Sequence, residues 1–348
     1  MTEIYSGAEF ILPAIEEILP SRCHPYAAQA EELDAKWVQA WVPFKDSREE
    51  ESFLARRCTY WVSWAYPYLA AERFLAMCNF SSLVFALDDV LSLSDAYTEE
   101  NRGRICQEFI DAMSGSSRKI DEPPSWASGT HDSWQRITRK LSPQQRHRAV
   151  QAFSDHLTTS AIENTARSSW STLDITAYVK IRRQTLAAPL YHVLTEYATE
   201  VDLTEDYRVH KSAMANLHTL AADHWLYAND IFSFRKEYFS GDGMNSIQLL
   251  LGQGASLQQA IDQIVSLLES TQRQFAKEVQ SLKSFFGNRL DMLTYLDALV
   301  LAVSGNLSWS RRTPRYHGSG YLTHPIRSGT IALYPDRTVY SPLEGPGR

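Results

Sequence analysis

The chain has 348 residues, a formal net charge of −7 and 44% hydrophobic residues. Two average domains would fit this length, but single domains of roughly 250 residues or more exist and no linker divides the central region, so we predict one large domain. The acidic balance without a basic cluster gives nucleic-acid binding no electrostatic support, and an anionic ligand would need local cations or a metal ion.

Apolar residues recur with a helical period along most of the chain, which predicts an all-α fold. The predicted helices span 26–42, 48–66, 69–93, 98–113, 144–169, 173–198, 205–240, 256–284 and 288–309. The predicted breaks lie at Pro67, 114–132, 241–245 and 252–256. Strand alternation is essentially absent before residue 320. We therefore predict a single helical bundle that encloses a cavity.

The C-terminal residues differ in composition from the rest. From His317 onward the sequence holds 5 of the 15 glycines and 4 of the 14 prolines. We therefore predict a domain over residues 1–316 and a loop with a weakly ordered tail over 317–348.

Cysteine use and hydropathy predict the compartment. The four cysteines, Cys23, Cys58, Cys78 and Cys106, have no paired spacing, as expected of reduced thiols. The N-terminus lacks a basic region followed by a long apolar stretch, and no run approaches the roughly 18 apolar residues of a membrane span. We expect a cytoplasmic protein with no membrane partner.

Two adjacent carboxylates follow a strongly apolar stretch. Asp88 and Asp89 come directly after residues 81–87, in a helix that is otherwise predicted to be buried. A buried charge is costly unless it is paired or bound to a metal, although an exposed helix end would also explain the pair. Asp95 lies two turns beyond Asp88 on nearly the same face. It could hold a water molecule or pair with a basic residue.

Two arginines lie in a helical stretch that should break near Pro189. Arg182 and Arg183 carry planar guanidinium groups that stay charged and bind phosphate oxygens bidentately. Such cations would suit a bound phosphate or diphosphate group.

Three oxygen-bearing side chains recur at intervals of four further along the chain. Asn229, Ser233 and Glu237 would stack along one helix face. Asp230 and Lys236 complete the pattern Asn-Asp-x-x-Ser-x-x-Lys-Glu. Magnesium prefers oxygen donors and is often shared between protein carboxylates and substrate phosphates. A solvated polar helix face is the alternative.

A further cationic element follows the last long helix. Arg315 and Tyr316 lie six residues beyond Trp309, in a segment without helix signals after Pro314. Arg311 and Arg312 are interpreted as ordinary surface charge.

Aromatic residues exceed what a core requires, with 9 Trp, 17 Tyr and 14 Phe. Phe85 lies one turn before Asp88, and with Trp309 it is a candidate for a cavity wall. Trp61 and Tyr66 are further candidates, for which packing in the core is the alternative. Aromatic faces stabilise cations by about 0.5–2 kcal/mol.

The segment Asn229 to Glu237 resembles the second metal motif of class I terpene cyclases of the bacterial and fungal type. The resemblance covers residues 55–316. It implies three Mg²⁺ ions, held by Asp88, Asn229, Ser233 and Glu237. Ser92 departs from the family pattern, which often has an acid there, and Asp89 and Asp95 would then contribute indirectly.

The resemblance also implies roles for the cations. Arg183 matches the arginine that senses the diphosphate, and Ala187 matches a helix-break position that is commonly Gly. Arg315 and Tyr316 match a C-terminal diphosphate-binding pair, and Lys236 would join them.

The activity implied is magnesium-dependent ionisation of farnesyl diphosphate and cyclisation to a sesquiterpene hydrocarbon or alcohol. Diphosphate itself or a carbonyl can accept the final proton. The alternatives are a cyclase for geranyl or geranylgeranyl diphosphate, a chain-elongating prenyltransferase, and a non-catalytic helical binding protein. A monomer or a homodimer is expected.

Overall fold

The all-α prediction is confirmed in a computed structural model that describes residues 4–92, 97–116, 122–166 and 173–342. The helices are α1 (Ala27–Trp41), α2 (Ser47–Ala55), α3 (Thr59–Ala65), α4 (Ala71–Ser92), α5 (Glu99–Ser114), α6 (Trp126–Thr138), α7 (Pro143–Ala166), α8 (Ile175–Thr185), α9 (Ala188–Thr199), α10 (Thr204–Val209), α11 (Lys211–Ser240), α12 (Ser246–Gly252), α13 (Leu257–Phe286), α14 (Leu290–Ser310) and α15 (Pro314–His317).

The helix predicted over 48–66 is two helices. Arg57, between α2 and α3, takes a left-handed φ of 52°, which cannot continue a right-handed helix. The break lets α3 pack against α14 at very short range. A Cβ atom on Gly305 of α14 would lie 2.2 Å from the carbonyl oxygen of Trp64, so only glycine permits this approach.

A helix was missed inside the break predicted over 114–132. Ser125 accepts a hydrogen bond from the amide of Ser128 and caps α6, which buries Trp134 and Ile137 against α4 and α5. Turn-forming residues before and within α6 hid its apolar face.

The prediction of a loop after His317 is wrong for two segments. Strands β2 (Gly329–Leu333) and β3 (Thr338–Pro342) pair antiparallel, and β2 also pairs antiparallel with the N-terminal strand β1 (Glu9–Leu12). The sheet forms because alternate residues of β1 and most of β2 are buried against the bundle. The side chain of Gln258 on α13 covers the free edge of β1 by hydrogen bonds to the amide and carbonyl of Ile11.

Two long segments are strongly apolar along most of their length. The windows within Ala71–Ser92 and Leu290–His317 are long and apolar enough to cross a membrane, but 78% and 61% of them, respectively, are buried within the bundle. Such helices are typical of a large buried core. α4 and α14 both pack against α3, and both contribute residues to the wall of a central cavity.

Candidate active site

A deep cavity opens at one end of the bundle and has a volume of about 1160 Å³ including its open mouth. Helices α3, α4, α7, α8, α9, α11, α14 and α15 contribute to its wall. Charged side chains and amides surround part of the wall and aromatic rings cover much of the rest. The aromatic lining residues are Trp61, Phe85, Tyr191, Trp225, Trp309 and Tyr316.

The predicted metal motif lies on α11, beside this cavity. Asn229 and Glu237 line the wall, and Ser233 lies one turn from each with no exposed surface. Asn245 donates a hydrogen bond of 2.8 Å from Nδ2 to Glu237 Oε2, which orients the carboxylate. Burial, with a smaller contribution from Asp242, raises the pKa of Glu237 to about 7.

These side chains suit a magnesium ion. Ser233 Oγ is buried and has no hydrogen-bond partner among the described residues, so the helix holds an oxygen donor ready for a ligand. The described ranges contain no group of three or more His, Cys, Asp or Glu side chains that could hold a metal ion. A site on α11 would therefore depend on amide, hydroxyl and carboxylate oxygens together with substrate phosphate, as magnesium allows.

The second acidic element lies at the end of α4. Asp88 lines the cavity with 45% of its side chain exposed. Asp89 is more buried and pairs with both Arg56 and Arg315. Burial alone would raise the pKa of Asp89, but Arg315 and Arg56 lower it below its usual value. Ser92 also lines the cavity, whereas Asp95 lies outside the described residues.

The structure places Arg182, rather than Arg183, on the cavity wall. Arg182 Nη2 donates to Asn229 Oδ1 at 3.3 Å. Arg183 instead binds Asp223 through Nε and Nη2 at 2.5 and 2.8 Å, away from the lining residues. Adjacent residues on a helix point about 100° apart, so one of the two had to turn away. Counting back from Asn229 selected Arg183, whereas the cavity wall contains Arg182.

The C-terminal pair connects the two acidic elements. Arg315 Nη2 lies 2.9 Å from an oxygen of Asp88 and 2.9 Å from one of Asp89. Asn229 donates to the Tyr316 hydroxyl at 2.7 Å. Both residues are buried on the short helix α15, in a segment predicted without helix signals, where Thr313 caps the first turn.

Lys236 lies on the same wall as these groups. Burial and the nearby Arg315 lower the pKa of its ammonium. Arg311, expected at the surface, is instead 3% exposed and pairs with Glu17, whereas Arg312 stacks its guanidinium over Trp64.

Three of the four predicted cavity aromatics line the wall. The ring centroids of Phe85 and Trp309 are 5.7 Å apart, and those of Trp61 and Phe85 are 6.4 Å apart. Tyr66 is the exception: its hydroxyl bonds to Thr195 and to the Tyr191 carbonyl, so it belongs to the core behind the wall.

The predicted helix break lies at Ala187, between α8 and α9. Ala187 lines the cavity and takes a left-handed conformation with φ of 53° and ψ of 21°. Its carbonyl accepts a hydrogen bond from the amide of Tyr191 in the first turn of α9.

Comparison with known proteins identifies the family. The model of "Terpene synthase family 2, C-terminal metal binding" matches residues 79–274, more than half of the chain. The protein belongs to this terpene synthase family.

Curated relatives agree with this assignment. The chain is 27% identical over 331 residues to alpha-muurolene synthase of Coprinopsis cinerea, covering 91% of this chain and 76% of the relative. It is 28% identical over 313 residues to sesquiterpene synthase 6 of Postia placenta, covering 89% and 91%. The resemblance stated from the motifs is confirmed, and the protein is a terpene synthase of the lyase class.

Solved structures support the fold. The germacradien-4-ol synthase of Streptomyces citricolor superposes with a TM-score of 0.71 at 19% identity, covering 86% of this chain and 98% of that chain. The linalool/nerolidol synthase of Streptomyces clavuligerus gives 0.70 at 20% identity, covering 87% and 99%.

Several wall residues of this terpene synthase were missed from the sequence. They are His156, Tyr191, Trp225, Met244 and Asn306. Asn306 accepts a hydrogen bond of 3.0 Å from the Trp61 indole, which fixes that ring at the wall. The helix break at Ala187 was the one local signal that pointed to Tyr191, since the chain resumes there beside the cavity.

Proposed function

We propose that this terpene synthase is a magnesium-dependent sesquiterpene cyclase that ionises farnesyl diphosphate and cyclises the resulting carbocation. The observation that carries the proposal is the division of one cavity into two kinds of wall. Oxygen donors and cations come from α4, α8, α11 and α15, and aromatic rings lie beside them. This pairing suits a molecule with a diphosphate at one end and a hydrocarbon chain at the other.

The polar wall would bind the diphosphate. Asp88, Asn229, Ser233 and Glu237 would hold magnesium, and the family resemblance favours three ions. Magnesium supplies positive charge that neutralises the departing diphosphate. The chain adds Arg182, Lys236 and Arg315 around the same wall, with the Tyr316 hydroxyl as a further hydrogen-bond donor.

The aromatic wall would guide the cation. Phe85 and Trp309 present rings close to the charged groups, and the Arg315 guanidinium carbon lies 5.3 Å from the Phe85 centroid. The same ring faces that tolerate a guanidinium stabilise a carbocation, by about 0.5–2 kcal/mol each, without reacting with it. Removing water from this wall would prevent early trapping.

The choice of farnesyl diphosphate is supported by the relatives. Several carry the name sesquiterpene synthase, and alpha-muurolene synthase belongs with them. Another relative is named (3S,6E)-nerolidol synthase, and a structural neighbour was solved with 2-fluorogeranyl diphosphate. The chain length of the substrate is therefore the main variable to test.

The direct experiment offers geranyl, farnesyl and geranylgeranyl diphosphate separately, with Mg²⁺ and with a chelator. Diphosphate release and mass analysis of extracted products are the readouts. We expect cyclic C15 products from farnesyl diphosphate and none after chelation. Faster turnover of geranyl or geranylgeranyl diphosphate would show that the substrate has a different chain length. Longer diphosphates formed on adding isopentenyl diphosphate would indicate an elongating prenyltransferase. Binding without turnover would indicate a non-catalytic protein.

The metal site has a test that does not depend on turnover. Ser233→Ala removes a buried hydroxyl that has no partner among the described residues, so the metal-free protein should be as stable as the parent or more so. The increase in Tm caused by Mg²⁺ with inorganic diphosphate should shrink, because a ligand stabilises only the state it binds. Ser310→Ala, which removes another buried hydroxyl with no partner among the described residues and lies outside the cavity lining, is the matched control. An equal increase in all three proteins would remove Ser233 from the site.

A cytoplasmic location and a monomeric or homodimeric state stay predictions from the sequence. Fractionation of the native host and light scattering of the purified protein would test them.

A further inference from the structure

One histidine lines the cavity among the described residues. His156 lies on α7, is 4% exposed, and has Ser160 one turn further along the same face. Its ring stacks on the buried Phe153 with centroids 5.4 Å apart and planes 26° apart, which fixes its orientation. The metal and diphosphate groups described above do not use it.

The contacts of His156 determine its tautomer. Nδ1 lies 3.1 Å from the carbonyl oxygen of Gln184, and a carbonyl can only accept a hydrogen bond. Nδ1 must therefore carry the hydrogen, which leaves Nε2 with a lone pair. No hydrogen bond to Nε2 occurs within the described ranges. The wall of the cavity thus presents a basic nitrogen without a donor to mask it.

The ring is neutral in the resting protein. Burial and, to a smaller extent, the charge of Arg182 lower the pKa of His156. The hydrogen bond to Gln184 and the charge of Asp88 act on this pKa in the opposite direction. Its other neighbours on the wall include hydroxyls of Ser160 and Thr185. A hydroxyl is a far weaker base than imidazole, whose basicity suits proton transfer near neutral pH.

We propose that His156 Nε2 accepts the proton whose loss ends the cyclisation, an inference that rests on the proposed function. A C–H bond next to the cationic carbon breaks, and its electron pair forms the carbon–carbon double bond. The proton forms an N–H bond at Nε2, which gives a neutral alkene and an imidazolium. The proton passes to solvent when the product leaves.

The substitution His156→Gln tests this role. Glutamine keeps an N–H group that can donate to the Gln184 carbonyl, but its amide is not basic. We expect diphosphate release within about threefold of the parent, because ionisation does not use His156, and a fall of about tenfold or more in the share of the main alkene. His147→Gln, the same substitution on the exposed face of α7 and outside the cavity wall, should keep the parent products.

The kind of product change separates a base from a shape effect. Loss of a base should keep the carbon skeletons and change how each ends, with a double bond at another position or a hydroxyl from water. A substrate can carry deuterium in place of the hydrogen that the parent removes. The products of the variant should then retain this deuterium, because the variant loses a different hydrogen. New skeletons with unchanged termination, or no change at all, would overturn the proposal.

A spectroscopic readout keeps the test independent of turnover. Nitrogen-15 spectra of the ten histidines, compared between the parent and His156→Gln, should assign to His156 a neutral ring with hydrogen on Nδ1. Hydrogen on Nε2 would overturn the proposal even if no prenyl diphosphate reacts. A parent that turns over no substrate, with the expected tautomer, would count against the proposed function instead. His156→Phe replaces the glutamine variant if that variant fails to fold.

Discussion

Ala187 holds a backbone conformation that most residues avoid. Its left-handed φ of 53° separates α8 from α9 and lets Tyr191 reach the cavity. An L-residue with a Cβ atom pays about 1–2 kcal/mol for this conformation, whereas glycine adopts it freely. The chain therefore stores strain at a point on the cavity wall.

Replacing this alanine should stabilise the protein. Ala187→Gly is expected to raise the free energy of unfolding by about 0.5–1 kcal/mol, the relief of strain minus the greater entropy of unfolded glycine. Chemical denaturation measures the difference. Ala188→Gly, one residue later in regular helix, should instead lower it by a similar amount. Destabilisation by both would show that residue 187 is not strained.

Two neighbouring arginines should behave differently. Arg182→Met is expected to lower turnover by about 100-fold or more, since a cation beside the departing charge is lost. Arg183→Met should leave turnover within a few-fold but cost about 1–2 kcal/mol of stability, because Asp223 loses its partner. Steady-state kinetics with thermal melting compare them. The reverse order of kinetic damage would restore Arg183 as the arginine that senses the diphosphate.

At the scale of elements, the C-terminal hairpin secures the helix that carries Arg315 and Tyr316. Arg235 of α11 donates to the carbonyl of Tyr316 on one side and to the carbonyl of Pro335, at 3.0 Å, on the other. Pro335 lies in the turn between β2 and β3. The guanidinium therefore connects the metal-bearing helix, α15 and the hairpin.

Loss of this connection should loosen α15. Arg235→Met is expected to cost about 1–3 kcal/mol, because carbonyl groups at a buried helix lose their donor. Hydrogen exchange of residues 314–317 should quicken. Arg337→Met, which removes an exposed arginine that stacks on Tyr334 in the same hairpin, is the control. Equal exchange in the two variants would mean that Arg235 does not hold α15.

The elements also show where sequence patterns succeed. α13 was predicted nearly to its ends because its apolar residues follow a local period that packing reinforces, whereas the helix predicted over 205–240 is two helices, α10 and α11. The Asn229 motif was predictable for the same reason, since its spacing lies within one helix. α6 and the sheet were missed because both are stabilised by distant partners, α4 and α5 for α6, and β1 for β2.

The whole molecule explains which site residues could be foreseen. Asp88, Asn229 and Arg315 belong to motifs with a recognisable spacing, so the sequence indicated them. His156 and Trp225 reach the cavity through the packing of α7 and α11, which no local pattern encodes. Which of Arg182 and Arg183 reaches the wall depends on the rotation of one helix, which the spacing from Asn229 does not fix.

Buried histidines make the folded molecule sensitive to acid. His224 on α11 has no exposed surface, and burial lowers its pKa from 6.5 to about 4. Between these values the unfolded chain binds a proton that the folded protein does not. Stability from this residue is therefore complete above pH 6.5 and is lost as the pH falls toward 4, by about 1.4 kcal/mol per pH unit.

The test compares how steeply the free energy of unfolding falls with pH in the parent and in a variant. His224→Gln, which can still contact Gln272, should flatten the fall in the free energy of unfolding between pH 6.5 and 4 by about one proton. Burial raises the pKa of Glu31 to about 7, so this residue makes the free energy of unfolding rise as the pH falls. Its contribution is the same in the parent and in the variant, and it cancels in the difference between the two profiles. Parallel pH profiles would show that His224 does not titrate between the two states.

The pairing of β1 with β2 has a consequence for biosynthesis. Residues 9–12 leave the ribosome more than 300 residues before 329–333, their partners in the sheet. At about 5–20 residues per second, the first strand waits tens of seconds for its partner. The hairpin that secures Arg315 and Tyr316 is thus made long after β1. We expect the nascent chain to gain most of its helices before the charged wall of the cavity is complete.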